Sequence, residues 1–185
     1  ILAGTTFSVT AYLYDEYGNL KEDFTGDLDV TFISNASPSP LGNTIVIPSA
    51  GVRTFTAGIS TITGFMLYNA QETPTITIVE TLTGSVGTTP AITVWPEVLD
   101  NFYVQENPAQ NHGIGGVRVT ATQPFDVKVT ARDQYNNIKR DYLGRIRFKS
   151  SDDNIVDFPD GLQQFAAGDA GIRTFSNAVT IPTTG

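Results

Sequence analysis

Two short turns carry carboxylate and amide side chains in the same order. The first is Asp15-Glu-Tyr-Gly-Asn19 and the second is Asp133-Gln-Tyr-Asn-Asn137. Calcium prefers carboxylate and amide oxygens and takes six or more of them. Each Asp and Asn pair is therefore a candidate calcium site. The alternative is that the two Asp side chains close the turns by accepting hydrogen bonds from backbone amides ahead of them.

A third acidic loop adds Asp152 and Asp153, followed by Asn154, to the candidate calcium ligands. None of the three loops has the ligand spacing of a helix-loop-helix calcium site. We therefore predict no obligatory cofactor, and calcium is the ion that these residues could hold.

The sequence offers little for catalysis. A hydrolase needs a nucleophile beside a base, a metal, or two facing carboxylates in a cleft. His112 is the sole histidine and lies in a polar Asn-His-Gly segment, and the chain has no cysteine. The carboxylates cluster in turns, where capping and solvation explain them. We predict that the protein is not an enzyme.

Two further features could mark binding or modification. Asn35-Ala-Ser37 matches the N-glycosylation triplet in a predicted loop, although Pro38 directly after it disfavours modification. Tyr12, Tyr14 and Tyr17 are predicted to point outward and could form an aromatic platform for sugars. Alternatively, Tyr17 packs over its own turn, since Tyr135 recurs at the same position of the second turn.

Both turns follow segments in which apolar and polar residues alternate. These segments are Phe7-Ser-Val-Thr-Ala-Tyr-Leu13 and Phe125-Asp-Val-Lys-Val-Thr-Ala131. A second matched pair, Ala50-Gly-Val-Arg-Thr-Phe55 and Ala170-Gly-Ile-Arg-Thr-Phe175, lies at nearly the same offset. Self-similarity at a fixed period indicates a repeat architecture. We interpret the chain as two tandem copies of one unit.

Short alternating segments bounded by turn residues occur throughout both copies, and no helical period is present. In 26–34, for example, Leu28, Val30 and Phe32 are predicted to face inward. The pattern predicts an all-β protein of two tandem immunoglobulin-like antiparallel β-sandwiches. The predicted strands are 6–14, 26–34, 44–47, 52–63, 65–68, 75–79, 91–94, 101–104, 117–122, 124–131, 144–150, 162–165 and 172–181.

The predicted domains are 1–95 and 96–185, with Trp95 and Pro96 as the junction, because proline stiffens a linker. The first copy lacks the opening strand that the second has around Phe102, and the second lacks the last strands of the first. Two explanations stay open. The chain is an excerpt of a longer array, or neighbouring copies donate the missing strands by β-strand addition.

The bulk composition limits the classes of partner that we expect. The formal net charge of −8 repels nucleic-acid phosphates, so no nucleic acid is expected. No apolar run approaches the ~18 residues of a membrane span. The absence of cysteine excludes disulfides and thiolate metal sites, and it is compatible with an exported protein.

The chain resembles the bacterial immunoglobulin-like repeats of large secreted and cell-surface proteins, including the invasin-like group. The resemblance rests on the two strand-and-turn segments 7–19 and 125–137, on the two Ala-Gly-Val/Ile-Arg-Thr-Phe segments, on 144–152 and on Leu67-Tyr-Asn-Ala70. It implies an extracellular or cell-surface location and a structural role as stalk, surface layer or filament. The alternative is an adhesin or a carbohydrate-binding accessory module. The implied partners are neighbouring repeats or copies of the chain itself, or a surface glycan or protein.

Overall fold

The computed structural model describes residues 1–106, 122–150 and 158–181. In this part of the chain every ladder between named strands is antiparallel. The helical structure in it amounts to one 3₁₀ turn, Ala167–Asp169. The predicted all-β class with antiparallel sheets is confirmed. None of the described residues belongs to a helix of the length and hydropathy that crossing a membrane demands.

The chain divides into two compact units, each described separately below. The first unit comprises Ile1–Glu97 together with Tyr135–Asn137. The second comprises Val98–Gln134 and Ile138–Gly185.

The first unit is built from two antiparallel sheets. One pairs β1 with β4, and the other has the order β3-β2-β5-β6. The strands are β1 (Thr6–Tyr12), β2 (Gly26–Ser34), β3 (Gly51–Phe55), β4 (Ile59–Met66), β5 (Ile76–Glu80) and β6 (Val86–Thr88).

Alternation along each strand directs one set of side chains into the first core. Ile62 and Phe65 of β4 and Ile76 of β5 are buried there. The ring of Phe65 meets Phe32 of β2 edge-on at 5.4 Å and Phe7 of β1 at 5.8 Å, so this phenylalanine joins the two sheets. A second cluster of Ala3, Leu67 and Val94 is buried in the same unit.

The second unit has a three-stranded sheet of order β11-β8-β7 and a short pair of β10 with β9. Its core gathers phenylalanines and valines, among them Val127, Val129 and Phe165. The strands are β7 (Asn101–Glu106), β8 (Phe125–Arg132), β9 (Arg145–Ile146), β10 (Gln163–Gln164) and β11 (Ile172–Val179).

Several predicted strands differ from the observed ones. The single strand predicted over 52–63 is two strands, because Ala57 and Gly58 both adopt positive φ and reverse the chain between β3 and β4. Gly64 was expected to end a strand, but β4 continues through it, and Gly64 is the extra residue at a bulge opposite Phe7 and Ser8. The segment 91–94 is not a strand, and β6 lies earlier in the chain.

The second sequence match does not mark equivalent strands. Gly51–Phe55 is β3, which pairs with β2, whereas Ile172–Phe175 begins β11, which pairs with β8. β8 carries the counterpart of the β1 sequence, so the structural counterpart of β11 is β4. Both β4 and β11 contain an irregularity with a positive-φ residue, Gly64 or Asn177. Sequence likeness between β3 and β11 reflects shared strand chemistry rather than shared position.

Candidate functional site

The Asp15–Asn19 turn follows directly after β1 and is closed by its own side chains. Oδ1 of Asp15 accepts hydrogen bonds from the backbone amides of Tyr17 (2.9 Å) and Asn19 (2.8 Å). Oδ2 accepts one from Nδ2 of Asn19 (3.0 Å). The Asp15 amide in turn donates to the Asn19 carbonyl at 2.9 Å. The side chain of Asp15 thus has the turn-closing role that was the alternative to calcium binding.

The same bonds stabilise the ionised carboxylate. They lower the pKa of Asp15, with the side-chain bond from Asn19 as the largest cause, followed by the Asn19 amide; the Tyr17 amide and the charge of Lys21 contribute less. Among the described residues, no three Asp, Glu or His side chains group in a way that could hold a metal. Calcium binding by Asp15 and Asn19 stays a prediction, which melting curves with calcium and with a chelator would test.

The second turn has a left-handed residue at the same position but a different environment. Asp133 and Asn137 are fully buried, whereas Asn19 is exposed. Asn136 adopts a φ of 62° at the position where the first turn has Gly18 with 84°. Asparagine is one of the few residues that adopt this left-handed conformation readily, so it replaces glycine here.

Both ends of the Asn137 side-chain amide form hydrogen bonds with backbone groups of the first unit, to which Tyr135–Asn137 belong. Its Oδ1 accepts from the Ala70 amide at 2.9 Å, and its Nδ2 donates to the Tyr68 carbonyl at 2.8 Å. The Tyr135 ring meets that of Tyr68 edge-on at 5.0 Å. The structure gives Asn137 a structural role, and calcium binding by Asp133 and Asn137 stays a prediction.

The remaining predicted site residues lie apart from these turns. Asn35 is exposed, and its Oδ1 accepts a hydrogen bond from the Thr75 amide at 2.7 Å. Glycosylation of Asn35 stays a prediction. Asp152 and Asp153, with Asn154 and His112, lie outside the described residues.

Trp95 and Pro96 belong to the first unit, which ends its first segment at Glu97. The Trp95 amide donates to the Ile1 carbonyl and its carbonyl accepts from Ala3, both at 2.8 Å. The indole is 58% exposed, while Pro96 is buried. The junction role of this pair stays a prediction.

A groove in the first unit is a feature that sequence reasoning missed. Its volume is about 650 Å³, and it lies between the two sheets of that unit. Val9, Ala11 and Leu13 line one side, and Phe32 and Ile78 line the other. The lining includes residues of β1 and β6, each of which lies at one edge of its sheet. The alternation in β1 predicted these apolar side chains as core, but only the arrangement of the sheets shows that they border a groove.

Two of the three tyrosines proposed as an aromatic platform are adjacent. The rings of Tyr12 and Tyr14 are 6.4 Å apart, tilted by 31°, and both residues border the groove. Tyr12 is 51% and Tyr14 60% exposed. Tyr17 is 82% exposed and does not cover its turn in the way that the alternative expected.

Glu80, in addition to the groove, is a feature that the sequence analysis did not single out. Its carboxylate accepts from the Leu82 amide (3.0 Å) and from both the amide (2.6 Å) and the hydroxyl of Thr83 (2.5 Å). These bonds lower its pKa, with the Thr83 hydroxyl as the largest cause. The signal was the Glu-Thr-Leu-Thr-Gly segment, in which an acid directly precedes a Thr-rich turn.

Comparison with known proteins gives one weak structural likeness. Domains 5–6 of the S-layer protein SbsC align with 100% of this chain and 93% of that chain, with 16% sequence identity and a TM-score of 0.32. No protein-family model and no curated protein matches the chain.

Proposed function

We propose that this chain is a structural repeat region of an extracellular surface protein, serving as part of a stalk, a surface layer or a filament. The observation that carries the proposal is that one strand-turn-strand arrangement is built twice, with the same backbone hydrogen bonds. A chain that repeats a module gains length and contact surface rather than a new reaction site.

Three of the backbone bonds that recur at matched positions, with nearly the same lengths, illustrate the likeness. The Leu13 amide donates to the Gly58 carbonyl in the first unit, as the Ala131 amide does to the Gly171 carbonyl in the second (both 2.8 Å). Lys21 N to Leu13 O corresponds to Lys139 N to Ala131 O (both 2.9 Å). Phe24 N to Lys21 O (3.0 Å) corresponds to Tyr142 N to Lys139 O (3.1 Å).

These bonds join a strand, the turn after it and the strand paired with it. They support the interpretation of the chain as tandem copies of one unit. The extracellular location in the proposal comes from the sequence resemblance, and the acidic, cysteine-free composition agrees with it.

Single-molecule stretching tests the mechanical role. We expect the chain, held between flanking marker domains, to yield in discrete steps, each releasing roughly 3.3–3.6 Å per residue unfolded. A chain that extends smoothly, without steps, is no mechanical element, and that result would remove the stalk and filament readings. Protease treatment of intact source cells tests location, because a surface protein is cleaved while the cells stay closed.

A binding module is the second candidate, and the paired Tyr12 and Tyr14 rings favour it. Aromatic faces stack on apolar faces of sugars, and two neighbouring exposed rings provide such a surface. Retention on a glycan array that is lost in Tyr12→Ala and kept in Tyr103→Ala, an exposed tyrosine of the other unit, would support this function. Equal retention by both variants would reject it.

A further inference from the structure

Within the part of the chain that the structure describes, no strand pairs with the outer edge of β1. Among the described residues β1 pairs with β4 alone, so it is an edge strand. The Leu13 amide donates to Gly58 on the β4 side. Because backbone groups of successive residues point to opposite edges, those of Thr10 and Tyr12 point away from β4. A row of backbone donors and acceptors is left for another strand to meet.

The counterpart strand β8 has both edges paired. β11 lies on one side, as β4 does for β1, and β7 lies on the other. In that ladder Tyr103 is opposite Thr130 and Gln105 is opposite Lys128. By the matching of β1 with β8, the same residues would face Tyr12 and Thr10.

Burial follows this difference in pairing. Val127, Val129 and Ala131 of β8 are at most 2% exposed. At the matching positions of the first unit, Val9, Ala11 and Leu13 are only half-buried, and all three line the groove. The groove lies where a strand beside β1 would place its inward side chains.

We propose that the outer edge of β1 and the groove beside it bind an extended segment with the apolar alternation of β7, running antiparallel to β1. In the register of β7 on β8, residues equivalent to Phe102 and Val104 lie opposite Leu13 and Ala11 and enter the groove. Backbone bonds provide affinity and the two apolar side chains provide specificity. The inference rests on the proposed function, because it requires the two units to be copies of one repeat. It deepens that function by naming a strand of the same repeat as the partner.

The test uses a synthetic peptide with the sequence of residues 98–106 and the intact chain. We expect the amide resonances of Thr10 and Tyr12 to shift on titration and their hydrogen exchange to slow by at least about tenfold. A peptide carrying Asp in place of Phe102 and Val104 should leave both signals unchanged.

N-methylated peptides provide a matched pair that leaves the protein unaltered. Methylation at the Tyr103 amide removes a donor that faces β1, so affinity should fall about tenfold or more. The Val104 amide faces away from β1, so methylation there should leave the affinity within about twofold of that of the unmodified peptide. On the protein side, Thr10→Pro should abolish binding, and Thr10→Val, which keeps the amide, should retain it.

Several results would overturn the proposal. They are absence of binding, equal effects of the two methylations, shifts confined to β3 or β6, or a dimer of the chain whose contacts join β1 to β1. Binding of an apolar small molecule in the groove with no change at the Thr10 and Tyr12 amides would also overturn it, because the site would then be a ligand pocket. Stretching steps without peptide binding would leave the proposed structural function standing while this inference fails.

Discussion

The side chain of Asp15 holds three hydrogen bonds within five residues, and this explains both the turn and its response to acid. The bonds favour the ionised form, so the pKa is lowered from its ordinary value of 3.8. A carboxyl group with a lowered pKa in the folded state adds stability above its unfolded pKa. That contribution is lost as the pH falls through the folded pKa.

We therefore expect the free energy of unfolding of the first unit to fall as the pH is lowered below about 4. Asp15→Asn should lower the stability at neutral pH and flatten part of this acid dependence, because Asn has no proton to gain. Urea unfolding from pH 2 to 6 measures the effect, and a carbon-13 titration of the Asp15 carboxyl measures the pKa. As a control, Glu16→Gln makes the same charge change outside the turn's bonds. Identical pH profiles for the two variants would contradict the explanation.

Asn19 and Asn137 occupy one position in two copies of a turn, but their surroundings differ. Asn137→Ala would leave the partly buried Ala70 amide and Tyr68 carbonyl without their partner, at a cost of about 1–3 kcal/mol. Asn19→Ala removes an exposed bond and should cost less than about 1 kcal/mol. Faster hydrogen exchange at the Ala70 amide in the first variant alone would confirm the difference. Unchanged exchange there would refute it.

At the scale of elements, one glycine in each unit fixes how the turn after β1 or β8 meets the neighbouring strand. Gly58 and Gly171 have φ of 75° and 78°, and a Cβ there would lie 2.7 Å from the Lys21 carbonyl oxygen and 2.4 Å from that of Lys139. Both contacts are with backbone atoms, which cannot move aside as easily as the end of a flexible side chain. Their own carbonyls accept the recurring bonds from Leu13, directly after β1, and from Ala131 of β8.

Gly58→Ala should therefore destabilise the first unit by about 2 kcal/mol or more, combining left-handed strain of about 1–2 kcal/mol with a backbone clash. Gly84→Ala is the matched control, because Gly84 has a φ of 74° but nothing within 4 Å of the added Cβ. Thermal unfolding of both variants gives the comparison. Equal losses would mean that φ alone matters and that the contact with Lys21 does not.

Whether an element's boundary was predictable depended on how local its cause is. Strand β2 was predicted with its observed limits, since alternation and a flanking glycine both lie in the segment itself. The division of 52–63 into two strands was missed, because the apolar pattern runs on while the backbone reverses at Ala57 and Gly58. The position of β1 at a sheet edge, as the described residues have it, could not be predicted from the sequence of β1, because it depends on which distant segments pair with that strand.

For the whole molecule, two separate cores predict two separately disrupted units. Phe65 is fully buried between the sheets of the first unit, and Phe165 is 1% exposed in the second. Replacing either with alanine should cost about 3–5 kcal/mol. Hydrogen exchange by mass spectrometry should show lost protection in the altered unit alone. Leu82→Ala, at a side chain 90% exposed, is the control and should change neither. Loss spread evenly over both units would contradict separate cores.

The sequence by itself determined the all-β class and the two Asp-x-Tyr-x-Asn turns, because alternation and turn chemistry act between residues a few positions apart. Tertiary structure alone decided which strands pair, that the Ala-Gly-x-Arg-Thr-Phe segments occupy β3 in one unit and β11 in the other, and that Asn137 is buried while Asn19 is exposed. The physical reason is range. A strand's pattern fixes which of its faces is apolar, but the strands beside it come from distant segments. Among the described residues, only the packing of those segments places β1 at a sheet edge beside a groove.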